Sequence, residues 1–316
     1  MYMVTGAAGF IGSNIIAALN ARGQKNIIAV DVLGSDEKFA NLADLQIADY
    51  YDAAELRRAI RKGRFNADLT AISHQGACAD TMEPDGRYML DNNFTFSREL
   101  LDLAIDRRCP FVYASSGAVY GNGEAFEETP AHERPLNVYG YSKLLFDQHV
   151  RHGRGDAGIA LVGLRYFNVY GPRERHKGRM ASMVYQLYQQ LRQHGVAKLF
   201  EGTGGYEGGE QRRDFVYVGD VVAVNLHFMA QARPLRAIVN VGAGRSRSFN
   251  DVAHGLIEAI GSGRIEYIPF PESLAGKYQS FTEAKLEGLR AAGYDAAMTE
   301  LSQGIRASVA AWQAEG

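Results

Sequence analysis

A tyrosine and a lysine four residues apart, Tyr139 and Lys143, have the types and the spacing for chemistry on an alcohol. Residues four apart on a helix share one face, with their Cβ atoms about 6 Å apart. An ammonium at that distance lowers the pKa of the phenol, about 10 in isolation, so that the tyrosine can act as a base near neutral pH. The pair therefore predicts proton transfer coupled to hydride transfer, although such pairs are also common on solvated helix surfaces.

Ser116 is a third candidate for this chemistry, because it follows an apolar segment, residues 110–114, that predicts a buried strand. We expect its hydroxyl at the carboxyl edge of a sheet, to which a helix beginning near Asn137 would bring the other two residues. In this relay Tyr139 is the acid/base, Ser116 is a second contact to the reacting oxygen, and Lys143 tunes the phenol and holds the nicotinamide ribose. An ordinary serine at a strand end is the alternative.

A glycine-rich turn lies between an apolar strand at residues 3–5 and a helix-like segment at residues 13–19. Its glycines are Gly6, Gly9 and Gly12, in the spacing GxxGxxG. Glycines permit a tight turn and close approach of the backbone to a ligand, and the helix amides beyond them would face a pyrophosphate. The turn predicts a dinucleotide site, with a strand-to-helix turn that binds nothing as the alternative.

The second predicted strand, residues 27–31, favours the dinucleotide site because it ends in Asp31, about 20 positions after the last glycine of the turn. A carboxylate there accepts hydrogen bonds from the adenosine ribose, which by itself indicates NAD. Lys38 could instead reach the 2′-phosphate of NADP while Asp31 turns to the remaining hydroxyl. A solvated loop lysine is the alternative, so the residue types leave the choice of cofactor open.

Apolar strands alternate with helical patterns along the first half of the chain, which predicts a doubly wound parallel α/β sheet. We expect a Rossmann-type domain over residues 1–170, to which residues 214–245 return, and a smaller substrate-binding α/β lobe over residues 171–316. Further strands are predicted at residues 42–47, 69–73, 198–200, 238–241 and 264–268. Helices are predicted at residues 53–62, 88–106, 180–194, 249–260, 283–290 and 300–312, and a mobile lid or hairpin at residues 202–209.

The composition is that of an ordinary globular protein, with 46% hydrophobic and 22% charged residues among 316. The net charge of -2 gives no reason to expect nucleic acid or a membrane as a partner. Two cysteines, Cys78 and Cys109, are too few for a disulfide framework, and we expect free thiols in a reducing compartment. The sequence has no signal-peptide pattern, membrane-length apolar segment or metal-ligand spacing, so we expect a cytoplasmic protein without a metal.

The glycine turn, the serine after the fifth strand and the YxxxK spacing together resemble the extended short-chain dehydrogenase/reductase superfamily, whose members mostly modify nucleotide sugars. More specific motifs resemble one of its families, the ADP-glycero-manno-heptose 6-epimerases, over nearly the whole chain. Those motifs lie at residues 91–93, 137–143, 165–174, 176–178, 180–182, 199–202, 213–221 and 265–271.

The resemblance implies inversion at carbon 6 of ADP-D-glycero-β-D-manno-heptose by transient oxidation with bound NADP (NAD is possible), in the synthesis of lipopolysaccharide core heptose. It also implies a nucleotide-sugar substrate and a homo-oligomer, a pentamer. A UDP- or GDP-sugar 4-epimerase or dehydratase of the same superfamily is the alternative. A nucleotide-sensing protein without catalysis is a further one, against which the intact set of serine, tyrosine and lysine argues.

Site residues also follow from the resemblance. It implies cofactor contacts from Gly6, Gly9, Phe10, Ile11, Gly12, Asp31, Val32, Lys38, Gln75, Gly76, Ala77, Cys78, Ala79, Asn92, Lys143 and Val169. It implies substrate contacts from Asn168, Arg179, Gln186, Phe200, Glu201, Gly202, Thr203, Arg213 and Tyr278. The chain departs from the family pattern at Gln186, where a histidine is expected, at Arg179, often a serine, at Ala53, a lysine, and at Gln75, a glutamate.

Inversion favours a second acid/base, because the ketone must turn over before the hydride returns from the same face of the cofactor. A tyrosine fixed on a helix is poorly placed to remove the first proton and supply the last. Lys177, in the basic segment at residues 175–177, is the candidate, and the resemblance assigns it this role. Its pKa would have to fall from about 10.4 through burial or neighbouring cations. The alternative for Lys177 is a basic loop that binds the phosphates of the ligand. Arg212 and Arg213 are further candidates for a contact to a diphosphate, and Arg213 is the better match to the family.

Overall fold

The computed structural model describes residues 1–34, 37–153, 157–271 and 279–315. The strands in these residues are β1 (Tyr2–Thr5), β2 (Ile27–Asp31), β3 (Asp49–Asp52), β4 (Ala71–His74), β5 (Phe111–Ser116), β6 (Ala160–Tyr166), β7 (Asn168–Tyr170), β8 (Val196–Phe200), β9 (Arg212–Arg213), β10 (Phe215–Tyr217), β11 (Leu235–Val241), β12 (Arg247–Ser248) and β13 (Arg264–Ile268). The α-helices are α1 (Phe10–Ala21), α2 (Ala40–Ala43), α3 (Ala53–Arg61), α4 (Gly86–Leu90), α5 (Phe96–Arg107), α6 (Val138–Gly153), α7 (Met183–His194), α8 (Val218–Met229), α9 (Phe249–Ile260), α10 (Glu287–Ala291) and α11 (Leu301–Ala314).

A parallel sheet of seven strands, counted over the described residues, forms the centre of the molecule in the order β11-β6-β5-β4-β1-β2-β3. Helices cover both faces, because the strands are apolar on both sides. One face packs on α1 and α8 through residues such as Ile15 and Val221, and the other on α3, α5 and α6 through residues such as Leu100 and Phe146. The predicted doubly wound sheet is confirmed.

The carboxyl ends of four neighbouring strands meet along one edge of this sheet. Thr5, the last residue of β1, is in register with His74 at the end of β4, and Ser116 at the end of β5 is in register with Tyr166 at the end of β6. In doubly wound sheets ligands bind beyond this edge, where the strand order reverses. Here the order reverses between β1 and β4, so the edge at Thr5 and His74 is where a ligand is expected.

The predicted third strand at residues 42–47 is wrong. Those residues hold the end of the short helix α2 and a loop, and the edge strand β3 begins only at Asp49. Leu42, Leu45 and Ile47 are apolar because they pack against one of the core clusters, not because they pair in the sheet. The actual edge strand, β3, pairs only with β2 among the described strands, and its residues are half-exposed. Its sequence therefore shows little of the apolar pattern that predicts a strand.

Other boundaries differ in smaller ways. The predicted helix at residues 88–106 consists of α4, a π-helical turn (Asp91–Thr95) and α5. The helix predicted from residue 180 begins at Met183 and follows a 3-10 helical segment (Arg175–Met180), and the one predicted at residues 283–290 is the shorter α10. The sequence prediction lacked β6, a strand of the central sheet.

A second layer lies beyond β7. Its core contains residues from α7, α9 and α11, among them Leu187, Leu256 and Trp312, and strands β8 and β13 pair in parallel beside it. The loop at residues 202–209 returns on itself, since the amide of Gly209 donates to the carbonyl of Phe200 at 2.9 Å. Among the helices that the structure describes, none combines the length and the apolar character needed to cross a bilayer.

Candidate active site

The structure brings Tyr139 and Ser116 into contact. Tyr139 lies in the first turn of α6, which Asn137 caps by accepting a hydrogen bond from the amide of Gly140 at 2.8 Å. The Ser116 hydroxyl lies close enough to the phenol to lower its pKa. Burial raises the pKa of Tyr139, and the Ser116 hydroxyl opposes that rise. The expected lowering of this pKa by Lys143 is not found.

Lys143 lies deeper, with 7% of its surface exposed. Its ammonium donates to the carbonyl of Ala114 in β5 at 3.0 Å, so the cation is held two residues before Ser116. Burial lowers the pKa of Lys143 to about 8, against the opposing field of Asp147 one turn further along the helix. The site therefore holds a buried cation whose placement weakens the fold.

Replacing this cation should change how stability depends on pH. The pKa of Lys143 is about 8 in the folded chain and near 10.5 in the unfolded chain, so between these values the unfolded chain binds more protons. The free energy of unfolding of the wild type should therefore increase, relative to that of the Lys143→Met variant, as pH rises from 8 to 10.5. Urea unfolding across this range measures it, with Lys62→Met, at an exposed position, as the control for lost charge. Parallel curves for wild type and Lys143→Met would contradict this.

Lys177 lies in the 3-10 segment and its ammonium is 5.2 Å from the centre of the Phe10 ring, which places it beside the glycine-rich turn. Burial lowers the pKa of Lys177, in the direction that a base requires, and the carboxylate of Glu174 opposes this. Glu174 is fully buried and accepts hydrogen bonds from the amides of Gly171, at 3.0 Å, and Ser182, at 2.6 Å. It thereby joins the two ends of the segment that carries Lys177.

A cavity of about 390 Å³ adjoins Lys177. It is lined by Phe167, Asn168, Val169, Lys177, Met180, Ala181, Ser182, Met183, Lys198, Leu199, Phe200, Gln211, Arg213, Phe215 and Phe249. Gly117, the residue after Ser116, approaches one of the lining residues, because a Cβ added there would lie 3.7 Å from the Phe167 ring. Lys177 therefore lies in the cavity wall, whereas Ser116 and Tyr139 are not among the residues that line it.

Five of the predicted cofactor, base and substrate residues line this cavity: Asn168, Val169, Lys177, Phe200 and Arg213. Arg213 lies over the Phe249 ring, with its guanidinium carbon 5.8 Å from the ring centre. Its neighbour Arg212 binds Ser246 instead, through the hydroxyl at 3.1 Å and the carbonyl at 2.8 Å. The sequence analysis missed Lys198, which adds a third positive charge to the wall.

The other predicted substrate residues lie elsewhere. Arg179 is mostly exposed and forms an ion pair with Asp80 at 2.7 Å, and Gln186 donates to the carbonyl of Ala181 at 2.8 Å. Glu201 and Gly202 line a separate surface depression of about 370 Å³. Thr203 follows them in the same loop, half-buried, and Tyr278 lies outside the described residues.

The glycine turn is packed too tightly for side chains at two positions. A Cβ at Gly12 would lie 2.1 Å from the carbonyl oxygen of Gly6, and one at Gly6, where φ is +63°, would lie 2.8 Å from the amide of Gly76. Phe10 and Ile11 begin α1 directly after Gly9, and α1 has neither a side-chain cap nor an acidic residue in its first turn. Its free amides fit a pyrophosphate.

Asp31 holds this turn and a lysine together. Its carboxylate accepts hydrogen bonds from the amides of Ala8, at 2.8 Å, and Val32, at 2.7 Å, and pairs with Lys38 at 2.8 Å. Val32 is 53% exposed at the same strand end. A carboxylate and an ammonium therefore lie together at the predicted adenosine ribose site.

Asn93 is a structural residue of the cofactor edge that the sequence analysis did not single out. From the π-helical turn it donates to the carbonyl of Cys78 at 3.0 Å, accepts from the amide of Cys78 at 2.8 Å and donates to the hydroxyl of Ser142 at 3.0 Å. It thus joins the loop after β4 to the helix that carries Tyr139. Its predicted neighbour Asn92 donates to the carbonyl of Tyr88 at 2.9 Å.

The rest of the loop after β4 follows the sheet edge. Gly76 donates to the hydroxyl of Thr5 at 3.0 Å, Ala77 is half-buried and Ala79 is exposed. The Gln75 side chain points into the interior, where it accepts from the hydroxyl of Tyr166 at 3.0 Å and donates to Asn225 at 2.9 Å. This side chain, at a position where the resemblance led us to expect glutamate, is held by protein partners.

A buried ionic network lies under α6, the helix that carries Tyr139. The carboxylate of Asp147 accepts hydrogen bonds from the hydroxyls of Tyr113 and Ser115 and from Arg165, each at 2.9 Å. Arg165 is fully buried and also pairs with Glu133. The network connects α6 to β5 and β6, and so fixes the strand that carries Ser116 against the helix that carries Tyr139.

Comparison with known proteins gives a consistent result. The family model described as "NAD dependent epimerase/dehydratase family" matches residues 2–242. A protein of Alkalilimnicola ehrlichii named ADP-L-glycero-D-manno-heptose-6-epimerase is 54% identical over 306 residues, which are 97% of this chain and 95% of that protein. The crystal structure of the Helicobacter pylori ADP-L-glycero-D-manno-heptose-6-epimerase is 31% identical, with a TM-score of 0.84 over 99% of this chain and 96% of that one. The structure of Thermus thermophilus UDP-glucose 4-epimerase complexed with NAD is 27% identical, with a TM-score of 0.77 over 99% and 98%.

Proposed function

Because this chain belongs to the NAD dependent epimerase/dehydratase family, we propose that it inverts carbon 6 of ADP-D-glycero-β-D-manno-heptose to give the L-glycero epimer. The relative at 54% identity carries the name of that activity. The observation that carries the proposal is the arrangement of two proton-transfer groups, Tyr139 beside Ser116 and Lys177 beside the cavity. We propose that this reaction serves the synthesis of lipopolysaccharide core heptose, as the resemblance implies.

A nicotinamide cofactor would accept the hydride of carbon 6 and return it. Tyr139 takes the proton of the hydroxyl in one epimer, with Ser116 bonded to the same oxygen, and the resulting ketone turns over. Lys177 then supplies the proton to the new alkoxide on the other side, and the two residues exchange roles in the reverse direction. Both assignments need the phenol and the amine to change protonation near neutral pH. Burial moves the pKa of Lys177 that way, whereas Tyr139 would need the positive charges of the loaded site to offset its own burial.

The cavity supplies recognition for a nucleotide diphosphate. Its three cations, Lys177, Lys198 and Arg213, lie among aromatic side chains such as Phe200 and Phe249. Charge-assisted contacts of a guanidinium suit phosphate oxygens, and aromatic rings suit a base or a sugar face. We assign the second layer beyond residue 170 to substrate binding on this ground, and the exposed Arg179 and the half-buried Gln186 to its rim.

NADP is the cofactor that we propose, because Lys38 puts an ammonium beside Asp31 at the end of β2. Lys38→Met should weaken NADP binding by roughly 10- to 100-fold while NAD binding changes little, since one charge-assisted contact to the 2′-phosphate is lost. Fluorescence titration of cofactor-stripped protein with NADPH and NADH measures both affinities. Lys62→Met serves as the charge control, and an equal loss for both cofactors would contradict the assignment.

The proposed reaction is tested by NMR of ADP-D-glycero-β-D-manno-heptose incubated with the purified protein and no added cofactor. Inversion at carbon 6 without net oxidation supports both the reaction and a retained cofactor. Conversion of a UDP- or GDP-hexose with no change in the ADP-heptose would replace this proposal by another epimerase or dehydratase. We further propose a homo-oligomer in the cytoplasm, a pentamer by resemblance, which analytical ultracentrifugation would test.

A further inference from the structure

The segment that carries Lys177 is attached to the cofactor-binding half of the molecule through α2. Asn41 lies on this helix, and its side-chain amide donates to the carbonyls of Ala8 and Arg173, each at 3.0 Å. The same nitrogen lies 3.0 Å from Nδ1 of His176, the residue before Lys177. One amide therefore touches the glycine-rich turn and two points of the Lys177 segment.

Neighbouring contacts reinforce this attachment. Arg173, which has a left-handed φ of 71°, donates to the carbonyl of Asn41 at 2.8 Å and pairs with Asp44. Asn14 on α1 donates to the carbonyl of Pro172 at 3.0 Å. The backbone just before Lys177 is thus fixed against α1 and α2, while Glu174 fixes the ends of the segment to each other.

We propose that Asn41 is a positioning residue for Lys177, which couples the placement of that amine to the glycine turn at the cofactor site. The inference deepens the proposed function, since it takes Lys177 as the second proton-transfer group. Two contacts support it. The carbonyl of Ala8 accepts from Asn41, and the amide of the same residue donates to Asp31 at 2.8 Å. The Lys177 ammonium lies over the ring of Phe10, two residues after Ala8. Asn41 does not line the cavity itself, so it reaches the cavity through the Lys177 segment and the cofactor site through Ala8.

The test uses the two half-reactions. Because the hydride would leave toward one face of the cofactor, the two epimers present their hydroxyls to different bases. Lys177→Met should therefore slow the oxidation of one epimer far more than that of the other. Asn41→Ala, and the isosteric Asn41→Asp that lacks the donor, should slow that same epimer by about 10-fold and change the other by less than about 2-fold, as expected for a misplaced base. Stopped-flow absorbance of the reduced nicotinamide, with the holoenzyme in excess over each epimer, gives both rates. Equal slowing of both epimers, or of neither, overturns the inference.

Asn20→Ala is the matched control. The Asn20 amide also spans two backbone carbonyls, those of Gln24 at 2.8 Å and Gln46 at 2.9 Å, and it holds the loop after α2 without touching the Lys177 segment. It should leave both half-reactions unchanged.

A second readout separates this inference from the proposed function. Amine-reactive labelling followed by mass spectrometry should show Lys177 reacting several-fold faster in both Asn41 variants than in wild type, with Lys198 as the internal reference. Unchanged labelling of Lys177 overturns the inference whatever the kinetics show. If Lys177→Met slows neither epimer selectively, the two-base mechanism fails, and the labelling still decides whether Asn41 positions the lysine.

Discussion

Tyr139→Phe is expected to lower kcat for inversion by roughly 10²- to 10⁴-fold, because it removes one of the two groups that exchange the proton of the reacting hydroxyl. The influence of the Ser116 hydroxyl on the pKa of the phenol indicates that the two groups are neighbours. KM should change little, since the ring that packs in the site is retained. Steady-state turnover of the ADP-heptose, followed by NMR or coupled chromatography, measures both constants.

Tyr141→Phe is the control for this prediction, because Tyr141 lies two residues further on the same helix with 46% of its surface exposed. It should retain wild-type turnover. A Tyr139→Phe variant with full activity would remove the tyrosine from the mechanism, and full activity in the double variant with Lys177→Met would remove both bases.

Asp147→Asn should destabilise the protein by about 3–5 kcal/mol, the usual cost of removing one partner of a buried ion pair. The variant keeps the shape of the side chain but leaves the fully buried Arg165 with a single anionic partner, Glu133. Urea unfolding at pH 7 measures the change. The exposed pair of Arg306 and Glu258, 3.9 Å apart, supplies the control Glu258→Gln, for which the change should be within about 1 kcal/mol. A loss of less than 1 kcal/mol in Asp147→Asn would mean that the network contributes little to folding.

The sequence predicts the fold class because its strongest local patterns coincide with the central sheet. β2, α9 and β13 begin and end where the apolar periodicity places them, and the strand ends at Asp31 and Ser116 follow from the buried strands before them. The prediction failed at residues 42–47, because apolar side chains that cover a core from a loop have the same composition as a strand. It failed again at the edge strand β3, whose single neighbour leaves its residues half-exposed.

The sequence predicted which residue types belong to the candidate site, but not which groups each of these side chains contacts. Tyr139 and Ser116 do meet, yet the sequence favours a phenol acidified by Lys143, whereas in the structure that ammonium is bonded to a backbone carbonyl of β5. Asn93 lies in the family motif at residues 91–93, but its contacts, like those of Asn41, run to backbone groups far along the chain, and no local spacing records them. The sequence analysis missed Lys198 because an exposed lysine on a short strand cannot be distinguished by its type from an ordinary surface residue.

The attachment of the Lys177 segment to α1 and α2 bears on how enzymes of this kind could be recombined. A chimera that joins this cofactor half to the substrate half of a relative at residue 170 would separate Pro172 and Arg173 from the side chains of Asn14 and Asn41 that bind them. A crossover placed after Ser182 would keep that backbone, Glu174 and Lys177 with their native supports while still exchanging most of the cavity wall. The boundary that matters for exchanging substrate specificity is therefore about a dozen residues later than the one that the alternation of strands and helices suggests.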